Sequence, residues 1–318
     1  MNRSTGRRHV RNCEIAGWGS HLPDRTVVFE GQTRHRIPDG MSQLDMLAAA
    51  AEDALDTAGV PADRIDCIIA ASAAGVQPIP ALAALVMERV APTASAAAFD
   101  VNSTCTSFIT AFDIASRYLD AGQYERILIV SGDVASRFLN PEQPESFALF
   151  SDAAAAVVLT RTQEGRGVLA SLQQTWPAHA HDTELRGGLS AHPAHAYADG
   201  DPADYLFDMQ GRRALMGMLA VLPAFFERFF RHSGLTVDDV DLFVPHQASG
   251  ALGLAMRQLG IPREKYVDNV ARYGNMVSSS VPYTLIRCLE EGRVSRGDTV
   301  VLCGTAAGLT ANALALRI

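Results

Sequence analysis

The sequence predicts an α/β protein built from two similar halves, with mostly parallel or mixed sheets between layers of helix. Three observations carry this expectation. Short apolar runs of strand length alternate with helical stretches along all 318 residues. A helix-ending glycine leads into a buried strand over the same number of residues twice, in Ala58-Gly59-Val60-Pro61-Ala62-Asp63-Arg64-Ile65-Asp66-Cys67-Ile68-Ile69 and in Ser233-Gly234-Leu235-Thr236-Val237-Asp238-Asp239-Val240-Asp241-Leu242-Phe243-Val244. The composition, 48% hydrophobic and 19% charged, suits a chain with a substantial core rather than a disordered one. The repeat places a boundary near residues 161–167, giving halves 1–163 and 164–318.

The elements follow in order. Residues 1–8 are basic but lack an apolar core and a cleavage pattern, so they read as a frayed arm and not a signal peptide. Residues 13–18 form a first strand. Residues 42–58 are an Ala-rich helix that stops at Gly59. Residues 66–71 and 96–101 are strands, and the second leads directly to Cys105. A helix follows, with Phe108, Phe112, Ala115 and Leu119 at helical spacing and a stop at Ala121-Gly122. Residues 126–131 and 153–160 are further strands. The second half repeats the plan: a strand over 167–173, a long helix over 209–232 kinked at Pro223, a strand at 242–244, a helix over 278–291, and strands over 299–303 and 311–318. Between the halves, residues 175–205 form a long loop of the kind that caps active sites.

Composition also excludes function classes. A net charge of −8 argues against a nucleic-acid footprint. The longest apolar stretch, 216–226, contains Pro223 and is too short to span a bilayer. Five cysteines without a CxxC pair argue against a disulfide framework or a zinc site and fit a reducing cytoplasm. Cys13, Cys67, Cys288 and Cys303 read as core residues. His179, His181, Asp182, His192 and His195 lie in the long loop without a rigid ligand face, so they read as solvent residues and no metal is expected.

Three short segments carry chemistry. Asn102-Ser103-Thr104-Cys105-Thr106-Ser107 follows a strand and opens a helix. A helix N-terminus offers unpaired N–H groups and partial positive charge, which predict a thiol of lowered pKa and a backbone donor for an oxyanion. In Val244-Pro245-His246-Gln247-Ala248 the histidine ends a strand, where α/β ligand sites gather. It could take a proton from the thiol or donate a hydrogen bond to a thioester carbonyl. In Tyr273-Gly274-Asn275-Met276 the carboxamide is a neutral donor able to stabilise an enolate without competing for a proton. Together they point to carbon–carbon bond formation or acyl transfer on thioesters.

The set resembles the ketoacyl-carrier-protein synthase III branch of the thiolase-fold condensing enzymes. The likeness runs through Ala98-Phe99-Asp100-Val101, Val130-Ser131-Gly132-Asp133, Phe150-Ser151-Asp152-Ala153, the three segments above and the closing loop. It implies a five-layer α-β-α-β-α fold from two duplicated halves and a homodimer. It implies that Cys105 accepts an acyl group, and that His246 and Asn275 stabilise the enolate formed as a malonyl thioester loses CO2. It implies an oxyanion hole from the Cys105 N–H and a donor in Thr305-Ala306-Ala307-Gly308-Leu309-Thr310, with Ala307 or Gly308 as candidates. Ile79 matches the region lining the acyl tunnel. Arg212, Arg213 and Arg257 are candidates for docking phosphopantetheine or an acyl carrier protein. Acyl-CoA or acyl-carrier-protein thioesters are the implied substrates, with no metal or tightly bound cofactor.

The chain also departs from the family pattern. Residues 29–41 are short and lack the tryptophan that stacks on the adenine of coenzyme A. Glu145 stands near the position of the arginine that completes this clamp. The glycine-rich terminal loop is partly alanine. These departures favour a carrier-bound or specialised acyl donor over housekeeping initiation from acetyl-CoA. Three rivals remain beside decarboxylative condensation: acyl transfer to an oxygen, nitrogen or sulfur acceptor in secondary metabolism, a cysteine hydrolase, and a non-catalytic dimer partner.

Overall fold

A computed structural model describes residues 9–163 and 165–318. The basic arm expected over residues 1–8 lies outside the described residues. The first half runs through β1 (Arg11–His21), the hairpin β2 (Thr26–Phe29) and β3 (Gln32–His35), α1 (Gln43–Ala58), β4 (Cys67–Ala70), α2 (Leu82–Val90), β5 (Ala97–Asp100), α3 (Ser107–Asp120), β6 (Arg126–Asp133), α4 (Pro144–Phe147) and β7 (Ala153–Arg161). The second runs through β8 (Gly167–Thr175), the short β9 (Thr183–Glu184) and β10 (Asp208–Met209), α5 (Gly211–Ser233), β11 (Leu242–Pro245), α6 (Leu252–Gln258), α7 (Val270–Tyr273), α8 (Ser280–Glu290), β12 (Thr299–Ala306) and β13 (Thr310–Arg317).

Local chemistry explains where α1 starts, stops and packs. The Ser42 side chain accepts the Asp45 N–H while the Asp45 carboxylate accepts the Ser42 N–H, a reciprocal cap. Gly59 ends the helix at φ 63°, a left-handed conformation that suits glycine. Ala50, Ala51 and Ala54 are fully buried. Ala50 and Ala54 lie against Gly17 and Gly19 of β1, and a Cβ on Gly19 would fall 2.3 Å from the Ala50 carbonyl oxygen. Small residues on both partners let the helix backbone touch the strand.

The long helix is present as expected, and two elements are new. The helix α5 continues through Pro223 to Gly234. The helix α2 and the β2–β3 hairpin carried no prediction. No side chain of its own N-cap residue holds the start of α2. Asp100 of β5 instead accepts the Leu82 and Ala83 N–H groups, each at 2.8 Å. That cap comes from outside the local sequence.

The strand order among the described residues is β11-β12-β13-β8-β1-β7-β6-β4-β5. From β1 outward to β5 the pairings are antiparallel, antiparallel, parallel and parallel. From β8 outward through β13, β12 and β11 they are antiparallel, antiparallel and parallel, and a parallel bridge from Phe243 to Tyr266 completes the series. The two series therefore have the same plan. They meet where Arg11 and Asn12 of β1 pair with Val168 and Gly167 of β8.

The cores define five layers. Between the two sheets lie Phe108, Ile109 and Phe112 of α3 and Val281, Leu285 and Cys288 of α8. They pack on Ile69, Ile129 and Val157 from one sheet and on Val244, Leu302 and Leu314 from the other. Helices α1 and α2 cover the outer face of the first sheet, and α5 and α6 cover the outer face of the second. The expected α-β-α-β-α arrangement is present.

Candidate active site

Cys105 sits in a tight turn between β5 and α3. Asn102 organises it: its Oδ1 accepts the Thr104 N–H at 2.8 Å, and its Nδ2 donates to the Ala73 carbonyl at 2.9 Å. Thr104 takes φ 50°, which a β-branched residue holds only when its surroundings enforce it. A 3-10 turn over Thr104–Thr106 then opens α3, and the Ser103 N–H donates to Ser107 Oγ at 3.0 Å.

The same turn occurs once more, at Asn275. Its Oδ1 accepts the Val277 N–H at 2.8 Å, and its Nδ2 donates to the Ala248 carbonyl at 3.1 Å. Val277 also takes φ 50°. The Met276 N–H donates to Ser280 Oγ at 3.0 Å, and a 3-10 turn over Val277–Ser279 opens α8. Asn102 and Asn275, Thr104 and Val277, and Cys105 and Ser278 thus occupy matching places. An amide –NH2 has two hydrogens. Ala248 takes one from Asn275 and leaves the other to donate.

His246 follows β11, and its N–H donates to the Cys303 carbonyl at 2.7 Å. The matching position in the first half is Ala71, whose N–H donates to Val130 at 2.7 Å. The Ala248 N–H donates to the His246 carbonyl at 2.9 Å, so Asn275 grips the loop that carries the histidine. His246 is 3% exposed and its Nδ1 finds no partner among the described residues. Burial lowers the imidazole pKa to about 4, so the ring is neutral at neutral pH.

The three segments converge at the ends of β6 and β12. A Cβ on Gly304 of β12 would lie 2.6 Å from His246 Cβ and 3.5 Å from Thr106 Cγ2, so Gly304 has the histidine and the Cys105 turn as immediate neighbours. The Asn275 turn contacts the Cys105 turn directly. Asp133, at the end of β6, braces this junction. It accepts the Ala73 and Ala74 N–H groups at 3.0 Å and both the N–H and hydroxyl of Ser278. Its carboxyl pKa is raised by burial. Sequence reasoning assigned Asp133 no role. Ser278, at the place matching Cys105, was the available signal.

The Cys105 thiol differs from expectation. Burial, with the nearby Asp133 charge, pushes it up to about 12. The backbone N–H groups of Ala307 and of Cys105 itself act in the opposite direction, but desolvation is larger. The thiol and the imidazole are therefore each neutral at neutral pH. Cys13, Cys67, Cys288 and Cys303 are buried, while Cys105 is half-buried.

Comparison with known proteins fits this geometry. A family model described as 3-oxoacyl-[acyl-carrier-protein] synthase III matches residues 99–176, and its C-terminal counterpart matches residues 230–318. A beta-ketoacyl-[acyl-carrier-protein] synthase III from Symbiobacterium thermophilum is 37% identical over 275 residues, covering 86% of this chain and 82% of that protein. The chain belongs to the beta-ketoacyl-[acyl-carrier-protein] synthase III family. A relative of the same name from Geobacillus kaustophilus is 33% identical over 287 residues, covering 90% of this chain and 86% of the relative. The crystal structure of the Pseudomonas aeruginosa 3-oxoacyl-(acyl carrier protein) synthase III superposes with a TM-score of 0.85 at 27% identity, covering 96% of this chain and 98% of that one.

Not every residue singled out for this synthase III family member gathers at the centre. Ala307 and Gly308 lie in the turn joining β12 to β13, with Ala307 against the sulfur and Gly308 at φ 85°. Ile79 is 83% exposed. Arg212 and Arg257 are exposed on α5 and α6, and Arg213 pairs with Asp182 at 2.7 Å. Gln210, Gly211, Arg212, Arg213 and Met216 line a cavity of about 480 Å³. A second, of about 280 Å³, is lined by Gln143, Pro144, Glu145, Ser146 and Met209.

The long loop is tied by ion pairs. Arg186 meets Glu184, Asp204 and Asp208, while His179 meets Asp182 and His192 meets Asp204, both at 2.7 Å. These two histidines and His181, which faces Glu184 at 2.9 Å, are carboxylate partners rather than simple solvent residues. Among the described residues, no group of three or more His, Cys, Asp or Glu side chains is placed to hold a metal ion. Likewise, no helix there is long and apolar enough to cross a membrane.

Proposed function

We propose that this chain joins a Cys105-bound acyl group to a malonyl thioester by decarboxylative Claisen condensation. The observation that carries the reading is the paired turn. It supports a nucleophile near the Cys105 and Ala307 N–H groups in one half, and in the other an amide with one N–H to spare, tied through Ala248 to the backbone of a neutral histidine. The halves then divide the work, the nucleophile coming from residues 1–163 and its partners from 164–318.

Cys105 attacks the carbonyl of an acyl thioester as His246 takes the thiol proton. The Cys105 and Ala307 N–H groups hold the oxyanion, the S–C bond to Cys105 forms, and the donor thiol leaves with the proton. Gly308 keeps the turn in the shape that aims Ala307. A malonyl thioester then enters. Its C–CO2 bond breaks, CO2 leaves, and the electron pair becomes an enolate whose oxygen accepts hydrogen bonds from His246 and Asn275. The enolate carbon attacks the acyl carbonyl. The new C–C bond forms, the S–C bond to Cys105 breaks, and a β-ketoacyl thioester departs while the Cys105 thiolate takes a proton from solvent.

The β2–β3 hairpin, without a tryptophan, and Glu145 in the smaller cavity support a carrier-bound or specialised donor rather than acetyl-CoA. Arg212, Arg213 and Arg257 would meet the carrier or its phosphopantetheine. The exposed Ile79 and the edge strand β5 support a homodimer in which a second copy covers them and Ile79 reaches an acyl tunnel. A cytoplasmic setting suits these substrates.

The test is CO2 release from malonyl-CoA and malonyl-carrier protein, with and without a panel of acyl donors, against Cys105→Ala. Donor-dependent release that is absent from the mutant is expected. Acyl-Cys105 visible by intact mass without CO2 release would replace this reading with acyl transfer to another acceptor.

A further inference from the structure

We propose that Arg34 is a positioning residue for Asn275, clamping the turn that carries its carboxamide through carbonyls on either side. The two asparagine turns are alike but not equally supported. Asn102 follows β5 almost directly, on a strand paired along its length with β4. Asn275 has no such strand. Among the described residues its half offers the Phe243–Tyr266 bridge and the Gln247 side chain, which donates to the Val267 carbonyl and accepts the Asn269 N–H, then a longer connection ending in the single-turn helix α7. Something else must fix it.

Arg34, on the β2–β3 hairpin, reaches across to both flanks. Its Nε donates to the Ala148 carbonyl at 2.7 Å. Its Nη1 donates to the Val270 carbonyl at 3.2 Å, with Ala271 at 3.5 Å, and to Thr33 at 2.7 Å. Its Nη2 donates to Gln32 Oε1 at 2.6 Å. Between those flanks, the Asn275 N–H donates to Leu149 at 3.0 Å and the Ser151 N–H donates back to Asn275 at 2.8 Å. The guanidinium thus spans the residue before Leu149 and the helix before Gly274.

Gly274 completes the fit at φ 72°. A Cβ there would fall 2.6 Å from Arg34 Cδ, 2.8 Å from the Leu149 oxygen and 2.9 Å from Ser151 Oγ. Arg34 is only 2% exposed and meets carbonyl and amide oxygens rather than a carboxylate. A buried cation so placed is costly unless its donors are used, which here are spent on the asparagine's supports. Lysine, with a single ammonium, cannot reach both flanks.

The proposal rests on the condensing reading, and its test separates the two. Arg34→Met and Gly274→Ala are each compared with the unaltered protein in loading of Cys105 from acyl thioesters, read by intact mass, and in CO2 release from a malonyl thioester. CO2 release at least tenfold lower with Cys105 loading within twofold is expected for both. Arg34→Met placed on Asn275→Ala should bring no further loss. Gly274→Ala also meets the Leu149 carbonyl, so Arg34→Lys, which keeps the charge but cannot span both flanks, carries the test with the same split expected should the methionine variant unfold. Equal falls in both half-reactions, an additive double variant, or no change in either would overturn the proposal. Unaltered protein that loads Cys105 without releasing CO2 would remove the condensing reading and this proposal together. Normal release with unchanged variants would remove this proposal alone.

Discussion

The thiol of Cys105 and the imidazole of His246 are shifted in opposite directions chiefly by loss of contact with water, nearly complete at His246 and partial at the half-buried Cys105, where the Asp133 charge adds to it. Each is driven to its neutral form, up to about 12 for the thiol and down to about 4 for the imidazole. The thiolate is therefore made on demand, with substrate bound, rather than stored. Alkylation of Cys105 by iodoacetamide should rise about tenfold per pH unit from pH 6.5 to 9.5. A plateau below pH 8 would mean a standing thiolate–imidazolium pair and refute this account.

His246 also links stability to pH. Its folded pKa lies below its ordinary value of 6.5, so the unfolded chain binds a proton that the folded ring refuses. Its share of stability is complete above pH 6.5 and is lost as pH falls toward 4, on the order of 2–3 kcal/mol. Urea midpoints measured from pH 7.5 to 4.5 should fall more steeply for the unaltered protein than for His246→Gln. Parallel slopes would show that the ring is solvated. The residue types here were legible in the sequence, because thiol, imidazole and amide each stand beside a strand end or helix start. The sign of the thiol shift was not, because helix-tip position is local whereas burial and the Asp133 charge come from distant segments.

Elements meet through contacts that the sequence only half discloses. The alanine content of α1 and its stop at Gly59 could be read directly, and the helix runs and ends where they indicate. The reason for so many alanines lies across the interface, in Gly17 and Gly19. Gly19→Ala should cost about 3 kcal/mol, seen as a lower urea midpoint, because its Cβ would meet backbone and not a yielding side-chain tip. An unchanged midpoint would show that α1 can lift from β1. The start of α2 was illegible for a related reason: Asp100 stands well downstream of the N–H groups it caps. Asp100→Ala should lower stability by about 1 kcal/mol, and Asp100→Asn should recover most of it, measured by thermal melting. Equal losses in both would assign the effect to something other than the cap.

Across the whole molecule, the repeat was visible in two matched glycine-to-strand segments, while its depth was not. Ala71 and His246 share no side-chain chemistry, so comparison of residue types there hides a correspondence that the hydrogen bonds expose. The central helices α3 and α8 pack on both sheets, leaving neither half a complete core. Far-UV signal, near-UV signal and Cys105 loading should therefore be lost in one thermal transition. Two separated transitions would show that each half holds itself together.

The twin turns have a last consequence. The repeat offers sites for two reaction centres, yet the sequence equips one. At the other, Asn102 keeps the same two bonds as Asn275, but alanine replaces the imidazole and Ser278 gives its hydroxyl to Asp133. That silent twin has become scaffolding: its carboxylate and serine serve as the strut on which the working copy is aligned.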